Sequence, residues 1–144
     1  MTKQASFPLF VYGSLLSGFK SPAYDYITQF FDLAGKARVR GLLFDMGEYP
    51  AAVPVPDENF IEGELYTIKH ESEFSWAITQ LDDYEGVLVE AGQPPLYRRE
   101  LAEIFFGEEK VTAWIYWFNG DVTGKPFIDS GNLLDYIARM KGLE

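Results

Sequence analysis

The stretch Val111-Thr-Ala-Trp-Ile-Tyr-Trp-Phe118 constrains the fold more than any other part of the chain. It is apolar or aromatic on both faces, so neither face is marked for solvent. A strand of this kind is covered on each side and lies inside a sheet. Upstream, Tyr97–Phe106 reads as a second strand, and Gly107-Glu108-Glu109 has the length and composition of a hairpin turn between the two.

A central strand needs further neighbours, and the sequence offers several. Phe7–Val11 is a short apolar run. Ala37–Met46 begins in alternation and becomes continuously apolar. Phe60–Ile68 places Glu62 and Glu64 on one face, with Gly63 marking a bulge or the close approach of another backbone. Gly47–Pro54 reads as a loop with two prolines. Three helices complete the count. The first starts at Ser21 as N-cap with Pro22 in the first turn, carries Ala23, Tyr26 or Ile27, Phe30 and Phe31 at helical spacing, and stops at Gly35. The second is capped by Ser72, presents Phe74, Ala77, Ile78 and Leu81 as a stripe, and ends near Tyr84 or Glu85 before Gly86. The third runs from Gly131 to Lys141 with Leu133, Leu134, Ile137 and Met140 on its buried face. The regular strand–helix alternation of a doubly wound fold is missing. The expectation is an α+β protein: a small, mostly antiparallel sheet of five or six strands curled into a barrel and flanked by about three helices. No repeat, low-complexity tract or linker divides the chain, so a single domain over 1–144 is expected.

Charge and composition exclude several functions. A net charge of -10 argues against nucleic-acid and anionic-membrane partners, whose binding rests on Lys and Arg. The absence of cysteine removes thiolate nucleophiles, disulfides and Cys-ligated metals. A lone histidine, His70, builds neither a multi-His metal site nor an evident triad, and reads as a surface residue. No cofactor or metal is called for. Without a signal peptide or an apolar run of membrane-spanning length, a soluble cytoplasmic protein is expected; the oligomeric state is open. The aromatic share, 17%, serves a core and can also line a pocket.

Two stretches carry candidate chemistry. The first is Tyr12-Gly13-Ser14-Leu15 at the end of the first strand. Glycine lets the chain turn sharply and leave amide groups unpaired, which makes either an ordinary turn or a cradle for a carboxylate or phosphate. The second is Leu81-Asp82-Asp83-Tyr84-Glu85-Gly86, with three carboxylates at a helix C-terminus. The helix dipole and mutual repulsion disfavour negative charge there. Such groups are either solvated charges at a fraying end or, where a pocket desolvates one of them, an acid tuned toward neutral pH for proton transfer.

Together, these motifs resemble the γ-glutamylcyclotransferase-like, or AIG2-like, superfamily. Gly41-Leu-Leu-Phe-Asp-Met-Gly-Glu-Tyr-Pro-Ala51, Gly63-Glu-Leu-Tyr66 and Tyr97-Arg98-Arg99 resemble further family segments, and the resemblance spans Phe7 to about Phe118. It implies a barrel with a cavity at its mouth. By position it makes Tyr12, Gly13, Ser14 and Leu15 the loop that holds a γ-glutamyl group, and Glu85 the acid/base, with Asp82 and Asp83 at most tuning its electrostatics. The implied reaction turns a γ-glutamyl-amine or γ-glutamyl amino acid into 5-oxoproline and a free amine. The loop amides anchor the α-carboxylate or stabilise the oxyanion. Tyr49 and Tyr97 are candidate pocket walls beside the leaving amine, on or near the Gly47–Pro56 and Val87–Leu96 loops. Two alternatives stand beside this reading: a small-metabolite binding protein on the same fold without turnover, and an interaction domain that exposes the aromatics of Trp114–Phe118.

Overall fold

The computed structural model describes residues 7–13, 22–47, 50–56, 58–84 and 96–142. Six strands make one sheet: β1 (Leu9–Val11), β2 (Phe31–Asp45), β3 (Pro50–Pro54), β4 (Phe60–Ile68), β5 (Tyr97–Phe106) and β6 (Glu109–Phe118). Their order is β3-β2-β4-β1-β6-β5, and β2 also pairs with β5 through Arg38↔Phe105 and Val39↔Ile104. That extra pairing closes five strands into a barrel and leaves β3 as an added strand on β2. All pairings are antiparallel except β1 with β6, where Leu9 lies beside Trp114. Three helices, α1 (Pro22–Phe30), α2 (Phe74–Tyr84) and α3 (Leu133–Gly142), flank it.

The barrel has core on both faces of its central strands, which explains their lack of alternation. Phe10, Val39, Ile61, Leu65, Ile104, Ala113, Ile115 and Trp117, drawn from all five strands, pack together as the barrel interior. The intervening residues Leu9, Val11, Tyr66, Tyr116 and Phe118 face the other way and pack against Ile27 of α1 and Phe74, Ala77, Ile78 and Leu81 of α2. Period-two strand geometry thus divides the apolar residues between an inner and an outer layer. The rings of Tyr26, Phe30 and Trp76 stack across α1 and α2, with centroids 5.1–6.4 Å apart. The central hairpin takes the expected form, turning at Gly107 with φ 62°.

Several local expectations need correction. Gly35 does not stop a helix: α1 ends at Phe30 and β2 begins at once, with Gly35 inside it at φ 147°, where the β2–β4 register shifts. The glycine is a strand bulge. The segment read as a proline loop contains β3, whose prolines sit at its two ends on the sheet edge, where a missing N–H breaks no ladder. Ser72 is not a helix cap, since it lies within a 3₁₀ turn, Glu71–Glu73, that leads into α2. The third helix starts at Leu133; Asn132 caps it by accepting the Asp135 N–H at 2.9 Å, and Leu134 points outward, 37% exposed. At Gly63 the close-approach reading holds, because a Cβ there would be driven into the Val11 carbonyl oxygen.

Candidate active site

The registers bring the first motif to one end of the barrel. Strand β1 is wholly buried between β4 and β6, and it runs parallel to β6, so Tyr12 and Gly13 emerge beside the C-terminal end of β6. The same end receives the start of β5, because Tyr97 pairs with Phe118.

Tyr12 is buried among the barrel-interior side chains, and its hydroxyl donates to the Tyr116 carbonyl. Gly13 is needed for room rather than for an unusual backbone angle. A Cβ there would lie 3.1 Å from Cγ of Pro50, the first residue of β3, and Gly13 is not among the glycines with positive φ. Pro50 in turn accepts the Tyr97 hydroxyl at its carbonyl, and the Tyr97 ring lies edge-on to Phe118 with centroids 5.7 Å apart. Tyr97 is thus a buried ring that ties β5 to β3 beside Gly13. Ser14, Leu15, Tyr49 and Glu85 lie outside the described residues.

The second motif contributes a residue whose role the sequence reading missed. Asp82, in the last turn of α2, is buried. Its carboxylate accepts two bonds from the Arg99 guanidinium, Nε to Oδ1 at 2.6 Å and Nη2 to Oδ2 at 3.0 Å. Oδ1 also accepts the Tyr116 hydroxyl at 2.9 Å. Arg99 lies over the Trp114 ring, 4.3 Å from its centroid. A buried carboxylate is costly unless paired and hydrogen-bonded, and the two-pronged arginine fork meets that need with fixed geometry. A signal for this burial was present: Asp82 follows Ile78 by four residues and so falls on the apolar stripe of α2. Likewise Arg99 shares a strand face with Tyr97. Asp83, by contrast, is exposed.

Tyr116 joins the two motifs. Its backbone carbonyl receives Tyr12, and its side-chain hydroxyl reaches Asp82. The residues Trp114–Phe118 are therefore not a surface for partners; Ile115, Tyr116, Trp117 and Phe118 are buried and Trp114 is half-buried beneath Arg99. His70 is exposed, as expected. Among the described residues no group of three or more His, Asp or Glu side chains is placed to hold a metal, and no helix is long and apolar enough to cross a membrane.

A closed five-stranded barrel with an added strand and flanking helices is the fold of a known class. The chain matches the family model for γ-glutamyl cyclotransferase, AIG2-like, over residues 9–135, and it belongs to that family. It is 29% identical over 127 residues to the γ-glutamylcyclotransferase family protein ytfP of Citrobacter rodentium, covering 88% of this chain and 95% of that one. Among solved structures it is similar to YkqA from Bacillus subtilis, with a TM-score of 0.69 and 25% identity over 94% of this chain, although it spans only 42% of that longer chain. An AIG2-like protein from Mus musculus shares the fold, with a TM-score of 0.62 at 19% identity, covering 85% of this chain and 86% of that one.

Proposed function

We propose that this protein is a γ-glutamylcyclotransferase that converts a γ-glutamyl-amine or γ-glutamyl amino acid to 5-oxoproline with release of the amine. The observation that carries the reading is the meeting of both motifs at Tyr116. Seventy residues of chain separate Tyr12 from Asp82, yet one residue of β6 binds both. The loop that follows Gly13 and the acid that follows α2 thereby start from adjacent points of a rigid scaffold, which is what a reaction controlled by orientation requires.

The chemistry needs no protein nucleophile. The α-amine of the γ-glutamyl group attacks its own γ-carbonyl, forming a carbon–nitrogen bond that closes a five-membered lactam. The original amide bond then breaks and the amine leaves. In passing from ammonium to lactam N–H the attacking nitrogen gives up two protons. Glu85 relays them one after the other to the leaving nitrogen, which departs as an ammonium, so protons balance over the cycle. General acid–base catalysis of this kind contributes about 10²–10⁴-fold. The segment from Tyr12 to Leu15 holds the γ-glutamyl group, its amides either anchoring the α-carboxylate or receiving the oxyanion. In this reading Tyr49 and Tyr97 are the walls of the pocket that takes the leaving amine.

The test is a panel of γ-glutamyl amino acids and γ-glutamyl-amines assayed for 5-oxoproline. Release from at least one member, and its loss in Glu85→Gln, is the expected result. A saturable thermal shift without 5-oxoproline would instead make the protein a metabolite binder.

A further inference from the structure

Asp82, Arg99 and Tyr116 together do more than a structural ion pair requires, because of where they act. Asp82 is separated from Glu85 by only Asp83 and Tyr84, and Tyr84 is the last residue of α2. Helix ends fray, since their final carbonyls lack partners within the helix. Here the last turn is instead tied down from outside. Arg99, near the start of β5, grips the carboxylate with two nitrogens; Tyr116 on β6 adds a third bond; and the Trp114 ring supports the guanidinium from beneath. The side chains of the pair are only 9% and 11% exposed, so water does not loosen the grip. The neighbouring Arg98–Glu100 pair on the same strand is 38% and 50% exposed and makes a single 3.0 Å contact. The packed end is the one that precedes the acid.

We propose that Asp82, Arg99 and Tyr116 form a clamp of positioning residues that fixes the C-terminal turn of α2, and with it the origin of Glu85, relative to the Tyr12–Gly13 loop. The inference rests on the functional reading above, in which Glu85 moves the proton. None of the three residues is a proton carrier in the reaction. They act through Glu85, holding the base in register with a substrate whose other end is held by the loop. Tyr116 sets that register, because its carbonyl fixes the loop side and its hydroxyl fixes the helix side. A displacement of about 1 Å between reacting groups can cost on the order of 10²-fold in rate, so a loosened clamp should appear in kcat more than in KM.

The experiment compares Asp82→Asn, Arg99→Gln and Tyr116→Phe with Glu85→Gln on the full chain, using the γ-glutamyl substrate with the highest turnover in the panel. Each kcat is normalised to the folded fraction measured by circular dichroism at the assay temperature. Asp82→Asn and Arg99→Gln are expected to lower kcat by ~10–100-fold with KM within about twofold. Tyr116→Phe, which keeps the carbonyl that receives Tyr12, is expected to lower kcat by about 2–10-fold. Ile78→Val, which thins the core beneath the same helix, is expected to lower the melting temperature and leave normalised kcat unchanged; Ile78 is fully buried one turn before Asp82 and takes no part in the clamp's hydrogen bonds. Should Asp82→Asn or Arg99→Gln fail to fold, Tyr116→Phe and Ile78→Val decide the matter. Normalised kcat at the wild-type level in Tyr116→Phe, or an equal fall in Ile78→Val, overturns the clamp while an inactive Glu85→Gln keeps the functional reading. A fully active Glu85→Gln, or no turnover of any panel member, overturns the functional reading and the clamp with it.

Discussion

The two faces of the central strands are built on different terms. Inside the barrel, aliphatic and aromatic side chains from five strands pack almost without polar atoms, and the buried Tyr12 hydroxyl finds its partner in the wall itself. On the outer face, beneath α1 and α2, the layer is edged by tyrosine hydroxyls and by the ion pair of Asp82 and Arg99. An apolar interior tolerates exchanges among side chains of similar volume. A buried ion pair accepts one partner in one geometry, and replacing it wholesale by apolar residues is often neutral for stability or better. Its presence over the outer face is therefore poorly explained by stability alone and well explained by the need to hold a helix end in one place.

That contrast can be broken most forcefully at the pair itself. Asp82→Ala leaves the Arg99 charge buried without its carboxylate and is expected to cost about 3–5 kcal/mol in chemical denaturation. A loss below about 1 kcal/mol would show the guanidinium to be well solvated and the packing argument wrong. Next comes the inner face, at Gly63, where a methyl group meets the Val11 carbonyl oxygen and the Phe10 ring. Gly63→Ala is expected to cost roughly 1–3 kcal/mol by overpacking, read from the same curves. Glu100→Ala supplies the control, since the exposed pair with Arg98 is worth only about 0–1 kcal/mol, less at high salt. A double-mutant cycle on each arginine–carboxylate pair would sharpen the comparison, with the larger coupling expected at Arg99–Asp82.

The smallest effect concerns Tyr136 of α3, whose hydroxyl donates to Asp45 Oδ2 at 2.9 Å. That bond, then burial, then the Asp45 charge raise the tyrosine pKa above its ordinary 10.0. Folding therefore favours the neutral phenol. The contribution is fully present below the ordinary value and is lost as pH rises through the raised one. Melting curves of wild type and Tyr136→Phe should thus differ slightly at pH 8 and converge in strong alkali; a gap that widens with pH would contradict the assignment.

Much of this architecture was legible in the sequence, for identifiable reasons. The hairpin of β5 and β6 and the bounds of β4 follow from apolar runs and turn residues alone. What failed was punctuation. Gly35 and Ser72 carry the usual marks of a helix stop and a helix cap, yet the tertiary environment uses one as a bulge and places the other in a 3₁₀ turn. Pro50 and Pro54 signalled a loop, but a proline at the end of an edge strand forfeits no ladder bond. At the candidate site, Gly13 answers to space against Pro50 and not to the backbone freedom its sequence context suggests. The resemblance gives Asp82 at most an electrostatic role beside Glu85, and charges at a helix end are usually solvated. Its place on the apolar stripe was the contrary sign, and the partner that makes burial tolerable, Arg99, lies 17 residues further on in a different element. Sequence periodicity places a residue on a face. It does not name what that face meets.

The parallel pairing of β1 with β6 has a consequence for synthesis. The bond from Tyr12 to Tyr116 spans 104 residues, so the loop-bearing strand cannot acquire its second neighbour until β6 has emerged. Contacts so distant in sequence slow folding, because chain entropy is lost before they form. Once β4 is available, β1 can pair on that side, but its other edge waits for β6. At a translation rate of ~5–20 residues per second the interval is on the order of several seconds. During it, a fully apolar strand, Leu9–Val11, presents an unpaired edge of the kind that recruits other chains. A chain released before β6 would retain the first motif in sequence while lacking the wall that holds it.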